Sequence, residues 1–364
     1  MPDYLNKIKE LEDLIAGSKY NKRTQHAIGM YKAQLAKLKE KEVTRGSKKA
    51  ATTGYSVRKT GDGTVILVGF PSVGKSTLLN KLTDAESPVG AYAFTTLTVI
   101  PGVLDYKHAK IQILDVPGIV QGAALGKGRG KEVLNVVQNA DLVIILLDAL
   151  HPEHLPVLQK ELYDSNIRLN KKKPFVKIRK RAKDGLRIGR TVLTPDLDDE
   201  TIMTVLKEFR INNAEILIRD PIDVDDLIDV IEQNKSYVPS LIVMNKKDLV
   251  SEQKLAAISK QTNYDIAISA DQDSDFVELK ELIYDRLRLI PLFLKEPGKE
   301  ADMKEPLIMF KDCTIRDVCS KLHKDFVSKF KFARVWGLSA KFPGQRLTLR
   351  HMLKAGDVLE LHVK

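Results

Sequence analysis

Cysteine is scarce: Cys313 and Cys319 are the only two in 364 residues. They form neither a disulfide framework nor a metal-ligand pairing, so covalent staples and structural zinc are excluded as the source of the fold, and a reducing compartment suits the chain. Long apolar runs are also missing. No stretch reaches the roughly 18 apolar residues that a membrane helix needs, and the opening Met1-Pro-Asp-Tyr-Leu-Asn-Lys7 has no signal-peptide core. The expected location is therefore cytoplasmic, with no membrane partner. Apolar residues still make up 43% of the chain, ample for packed cores, and the length implies two or three domains.

Present instead is a phosphate cradle. Residues 69–76 read GFPSVGKS, after the apolar run Thr64–Val68 and before the helix-compatible Thr77–Leu82. Gly69 and Gly74 let the backbone wrap closely, so that the N–H groups of Pro71–Ser76 and its neighbours, proline excepted, turn towards phosphate. Lys75 reaches the outer phosphates, the Ser76 hydroxyl can hold Mg²⁺, and Ser72, Val73 and Thr77 complete the nucleotide loop. Downstream, the strand Ile111–Leu114 leads into Asp115-Val-Pro-Gly118, an acid for the metal shell and a glycine whose N–H can sense a γ-phosphate. Phe94-Thr95-Thr96 lies in the loop after the first helix, where either threonine hydroxyl would complete that shell. The expected metal ligands are thus Ser76, Asp115 and one of Thr95 and Thr96, and the expected catalytic groups are Lys75 and Gly118.

The base follows from a second group of motifs. Leu241–Met244 reads as a buried strand ending in Asn245-Lys246-Lys247-Asp248. The Asp248 carboxylate can accept from the guanine ring N–H and exocyclic amine, and Asn245 can bond the purine edge and the loop. Adenine offers no such donor pair, which disfavours an ATPase or kinase. Asp265–Ile268 is a further short strand leading into Ser269-Ala270, where a backbone N–H can donate to the guanine oxygen. One group is absent: a Ras-type GTPase orients its attacking water with a Gln directly after Asp-x-x-Gly, and here that place is Ile119. Gln121 is near in sequence with nothing to fix its direction, so intrinsic hydrolysis is expected to be slow. The glycine-rich Gly122–Gly130 follows, and its Lys127 and Arg129 are readable as phosphate ligands, RNA ligands or plain loop charges.

The sequence resembles the Obg-type translation-factor GTPases, and within them the developmentally regulated GTP-binding family. The resemblance rests on GFPSVGKSTLLNKLT at 69–83, AYAFTTLTVIPGVLDY at 91–106, IQILDVPGIVQGAALGKGRGKEVL at 111–134, and an ending like a TGS domain. It implies a slow GTPase binding GTP and GDP, using Mg²⁺, acting with ribosomes or ribosomal RNA, with a protein cofactor reached through the N-terminal hairpin or the TGS domain. A monovalent cation, K⁺, is a second cofactor that it raises. Ser72 departs from the pattern there, because wider Obg-like loops often carry at this place the Asn associated with that cation.

Charge is segregated. Residues 1–60 hold 14 basic and 6 acidic side chains, and residues 168–190 hold 11 basic and 1 acidic, while the chain as a whole is +11. The rest is therefore net negative, and the basic clusters read as surfaces for a polyanion, RNA before membrane. Lys171, Lys172, Lys173, Lys177, Arg179, Lys180 and Arg181 are the expected contacts.

The expected fold class is α/β: a P-loop GTPase with a mostly parallel sheet flanked by helices. Residues 1–45 form a helical hairpin, with Leu5, Ile8, Leu11, Leu14 and Ile15, then Ile28, Tyr31, Leu35 and Leu38, at helical spacing. One face must pack on the core domain or on a partner. Residues 46–60 are a linker. The GTPase domain covers 61–290, interrupted at 165–237 by an inserted α+β module of ββαβα order, whose strands Pro174–Ile178 and Leu186–Leu193 are expected to form a hairpin around Asp184-Gly185. In the resembling family this position also carries an inserted module, similar to a domain of a small-subunit ribosomal protein. Residues 291–364 are the β-grasp TGS domain, with Thr314 expected to cap a helix through the N–H of Asp317 and Trp336 in its core or stacking on a base. His151 and His154 are spaced as a ligand pair, but Pro152 and Pro156 are expected to break the helix that would align them.

Overall fold

The computed structural model describes residues 4–19, 21, 24–45, 61–83, 100–117, 130–195, 197–273 and 276–364. They fall into two compact units, one within Met1–Gly54, Gly122–Leu134 and Glu161–Tyr237, the other within Tyr55–Gln121, Asn135–Lys160 and Val238–Lys364.

The second unit carries a six-stranded sheet in the order Ile266–Ala267, Ser240–Asn245, Leu142–Asp148, Gly63–Val68, Ala109–Asp115, Ile100–Tyr106. All neighbours are parallel except the last pair. Strands covered on both faces read as continuous apolar runs rather than alternating ones, and Gly63–Val68 and Leu142–Asp148 are buried at every position. Helix Lys75–Leu82 buries Leu78, Leu79 and Leu82, and Val277–Leu287 buries Leu279, Ile283 and Leu287. Gly63–Val68 lies between strands that come later in the chain on either side. Such a switch point opens a crevice beyond the carboxyl ends of the strands, and four of those ends carry the predicted nucleotide residues.

The same unit holds a five-stranded sheet, Leu307–Phe310, Leu289–Lys295, Val358–Val363, Phe330–Trp336, Gln345–Leu347. Helix Ile315–Leu322 covers it, burying Ile315, Val318 and Cys319 against Leu292, Val335 and Leu359. Leu289–Lys295 runs parallel to the final strand. The sequence reading missed this strand because its apolar run follows a helix directly and contains Pro291. The strand pairs through the proline nonetheless: Pro291 stands opposite Ile308, and its carbonyl accepts from Gly356 N–H. Thr314 caps this helix in a reciprocal capping box: its side chain faces the Asp317 N–H as expected, and the Asp317 carboxylate in turn accepts the amide and the hydroxyl of Thr314, at 2.8 and 2.7 Å. Trp336 is half-buried, with the Lys295 ammonium 4.6 Å from its ring centre. Burial pushes the Cys313 thiol up to about 11, so Ellman's reagent is expected to leave the native thiol unlabelled at neutral pH; rapid labelling would show that it is accessible.

In the first unit the inserted module corrects the hairpin reading. Asp184 and Gly185 do turn the chain with φ 82° and 70°, but Val176–Lys180 and Leu186–Arg190 do not pair. Ala214–Ile218 lies between them, antiparallel to the first and parallel to the second. The reason is burial: Ala214, Ile216 and Ile218 are nearly inaccessible, and the most apolar strand takes the centre. The helix Asp199–Glu208 makes the crossover that parallel neighbours require.

The N-terminal hairpin, helices Tyr4–Gly17 and Gln25–Arg45, packs on this module. Ala33 joins a core with Ile202, Val205, Val224 and Ile228, and a Cβ at Gly29 would meet Thr201 Cγ2 at 2.8 Å. His26 Nε2 lies 2.6 Å from Thr204 Oγ1, and Lys32 pairs with Asp225 at 2.6 Å. The hairpin's expected packing face is therefore spent on the insertion. A buried bidentate pair, Arg168 with Asp229 at 2.6 and 2.7 Å, ties the strand Ile167–Leu169 to the helix Val224–Glu232.

Candidate nucleotide site

The loop after Gly63–Val68 is shaped by two glycines. A Cβ at Gly69 would sit 2.6 Å from Leu146 O. Gly74 has φ 96°, and a Cβ there would collide with the Asn245 amide. Ser72 is also left-handed, at φ 63°. Val73 is buried beneath the loop, Pro71 is exposed above it, and Thr77 is exposed on the first turn of the helix Lys75–Leu82.

Lys75 is 8% exposed and donates to Gly69 O at 3.3 Å and Phe70 O at 3.0 Å. Burial lowers its pKa, and the Asp115 charge opposes that. Ser76 Oγ donates to Asp115 Oδ2 at 2.5 Å. Burial raises the Asp115 carboxyl, against the Ser76 hydrogen bond and Lys75, and Asp115 Oδ1 is buried with no hydrogen-bond partner among the described residues. A lysine held by loop carbonyls, beside a carboxylate with an unused oxygen, is suited to a polyanion with its cation.

Asn245 ties this loop to the base loop: its Nδ2 donates to Val73 O and its Oδ1 accepts from Ala270 N, both at 2.8 Å. Lys246, left-handed at φ 62°, donates to Ser72 O at 3.0 Å and to Asp148 Oδ2 at 2.6 Å. Burial acts to raise the Asp148 carboxyl, but Lys246 and the Leu150 amide outweigh it and hold the group below its usual range. Asp248 stands exposed in the turn Lys247–Leu249, its Oδ1 accepting from Ser269 Oγ at 2.6 Å. Phosphate loop and guanine loop are thus one hydrogen-bonded body.

Two expectations change here. The Ser269 N–H donates to Asp273 Oδ2 at 2.8 Å, and the Ala270 N–H serves Asn245, so a guanine oxygen would have to share Ala270 N–H with the asparagine. Asp148 and Asp273 were missed, although an acid closing the wholly apolar Leu142–Leu147 run was a visible signal. Phe94, Thr95, Thr96, Gly118, Ile119, Gln121, Lys127 and Arg129 lie outside the described residues. The helix His154–Asp164 runs through Pro156, so that proline breaks nothing, but it begins at His154, and His151 and Pro152 stand outside it as expected. The His154 ring stacks on Phe70 of the phosphate loop with centroids 4.2 Å apart, and Glu153 bonds His151 at 3.1 Å.

In the other unit Lys171, Lys172, Lys173, Lys177, Arg179, Lys180 and Arg181 are all exposed. Lys171 reaches Asp226 at 3.4 Å and Arg181 pairs with Glu215 at 2.7 Å.

Three family descriptions match along the chain: "50S ribosome-binding GTPase" over residues 64–180, "C-terminal region of MMR_HSR1 domain" over 183–289, and "TGS domain" over 293–363. An uncharacterized GTP-binding protein of Methanocaldococcus jannaschii is 49% identical over 98% of this chain and 92% of its own. Developmentally-regulated GTP-binding protein 1 of Xenopus laevis is 40% identical over 99% of both chains. The chain belongs to the developmentally regulated GTP-binding protein family. It is a GTPase with a C-terminal TGS domain. Ribosome-interacting GTPase 1 of Saccharomyces cerevisiae is a further relative of this family member, 42% identical over 99% of both chains. Among the described residues no helix is long and apolar enough to cross a membrane.

Proposed function

We propose that the protein is a GTP-gated switch of slow, Mg²⁺-dependent turnover that works on the ribosome or its RNA from the cytoplasm. The observation that carries the reading is the separation of charge: a guanine-type nucleotide site lies in one unit, and a dense exposed basic segment lies in the other. The name of the yeast relative and the family description at 64–180 support a ribosomal setting. Mg²⁺ fits the residues present, because Ser76 and Asp115 offer hard oxygens and Asp115 Oδ1 is buried with no partner among the described residues. Thr95 or Thr96 would join them. When bound with nucleotide it neutralises phosphate charge; Lys75 and backbone donors position and stabilise the same group. Ser72 is the departure that a comparison of turnover in KCl and NaCl examines.

Turnover with and without purified ribosomes, followed together with co-sedimentation, tests the switch. Ribosomes should raise the rate; a flat rate with nucleotide-dependent binding would favour a nucleotide-gated adaptor that does not depend on hydrolysis. Reversing charge at Lys171, Lys172 and Lys173 should weaken ribosome or RNA binding at low salt and flatten its salt dependence, each lost phosphate contact removing about 0.7–0.9 of a released counterion. GTP affinity should stay the same. Filter binding across a salt series reads this, and an unaltered slope would remove the RNA reading. Deleting residues 1–45 is the wrong test, because it strips Ile28 and Ala33 from the folded unit.

A further inference from the structure

The inserted module's sheet has two unlike faces. One is covered by the helices Asp199–Glu208 and Val224–Glu232, and it buries Ala214, Ile216 and Ile218. The opposite face follows from the alternation of side chains along a strand. Its rows are set by register: Arg179 beside Glu215 beside Arg187, then Lys177 beside Leu217 beside Gly189. The ladder continues one step, since Arg219 N–H donates to Phe175 O at 3.1 Å, which puts Phe175 and Arg219 side by side at the end of this face.

Phe175 is 45% exposed, an unusual place for a large apolar ring in so charged a segment. The Arg219 guanidinium lies 4.9 Å and the Lys177 ammonium 5.6 Å from its ring centre. At Gly189 the floor drops to the backbone, and a Cβ there would only touch Leu217. The face therefore has a small apolar patch at Leu217 and Gly189, a stacking ring at one end and the cations Lys177, Arg179 and Arg187, with the one carboxylate among them, Glu215, already paired with Arg181 at 2.7 Å. Lys171–Lys173 lead directly into Phe175 along the chain.

We infer that this face binds unpaired RNA nucleotides, with one base stacked on Phe175 and Arg219 and the adjoining phosphates on Lys177, Arg179 and Arg187. The inference rests on the RNA reading above and adds to it the kind of RNA. Cations alone suit any polyanion. A ring presented on an open sheet suits only a base whose face is free, because bases inside a duplex stack on one another and turn only edges and backbone outward. A peptide partner accounts less well for the face, since an acidic peptide would leave the exposed ring without a matching group.

The test uses the full chain with a non-hydrolysable GTP analogue, a twelve-nucleotide uridine strand, and an RNA duplex of equal length, read by fluorescence anisotropy. The single strand should bind more tightly than the duplex. Phe175→Leu keeps the apolar bulk and removes the stacking face; it should weaken the single strand about tenfold and leave the duplex unaffected, with the salt slope unchanged. Phe175→Trp should restore binding. Lys177→Glu with Arg187→Glu should weaken both RNAs and flatten both slopes. Tighter duplex binding, or single-strand affinity indifferent to Phe175→Leu while the charge reversals still act, would overturn the stacking site and keep the RNA reading. Indifference to every one of these changes, and to reversal at Lys171–Lys173, would remove both. Loss of ribosome co-sedimentation by Phe175→Leu with unchanged RNA affinity would assign the ring to a ribosomal protein and overturn the inference as well.

Discussion

Asp248→Asn is expected to lose GTP and gain xanthosine triphosphate. The carboxylate is exposed and positioned by Ser269 Oγ at 2.6 Å, and among the described residues its second oxygen meets only Gln272, at a long 3.4 Å. Guanine would present two N–H donors to it. An amide in its place turns a donor towards one of them, and xanthine, with a carbonyl oxygen where guanine has its amine, suits that donor. Losing a charged hydrogen-bonded pair costs about 2–4 kcal/mol, on the order of a hundredfold in affinity. Calorimetric titration with both nucleotides reads the swing. Since Asn245 and Lys246 hold the phosphate loop independently of Asp248, unchanged GTP affinity would mean that the base sits elsewhere.

The nucleotide site was legible because its chemistry is local. Gly74 must be glycine for reasons that a few residues settle, and a lysine and serine following it have one common use. The strand ends were legible for a similar reason: runs such as Leu142–Leu147 are apolar throughout only when both faces are covered. Long-range choices were not. Nothing near Asp184-Gly185 tells the chain that Ala214–Ile218 will separate the two strands, because that outcome is decided by which strand has most to bury. The hairpin's apolar stripe announced a partner but not which one, and Gly29 against Thr201 is a fit that only the packed helices reveal. Helix-breaking by Pro156 was misjudged because proline costs little in a first turn, where its missing N–H has no intrahelical acceptor. The phosphate-loop stack of Phe70 on His154 had no sequence signal at all.

Lys75→Met should abolish hydrolysis and leave the fold intact. The ammonium is enclosed, desolvated and held by two loop carbonyls, at 3.3 and 3.0 Å, so it contributes little to stability that a methionine stem of similar length would not. Its charge serves the ligand: a triphosphate would offer oxygens that exchange these weak neutral acceptors for charged ones, and the interaction grows as charge develops on the transferred group. Removing one such preorganised donor from a water-poor site costs on the order of 10²–10³ in rate. The wild-type rate without a partner is expected to lie below about 0.1 per second, since Ile119 cannot orient water, so the variant should fall beneath detection in a single-turnover assay. Thermal unfolding should move little, because the buried Asp115 keeps its Ser76 hydrogen bond at 2.5 Å. A wild-type rate well above that bound would point to a catalytic side chain, with Gln121 the first to replace. Undiminished turnover in Lys75→Met would show that phosphate is not bound in this loop.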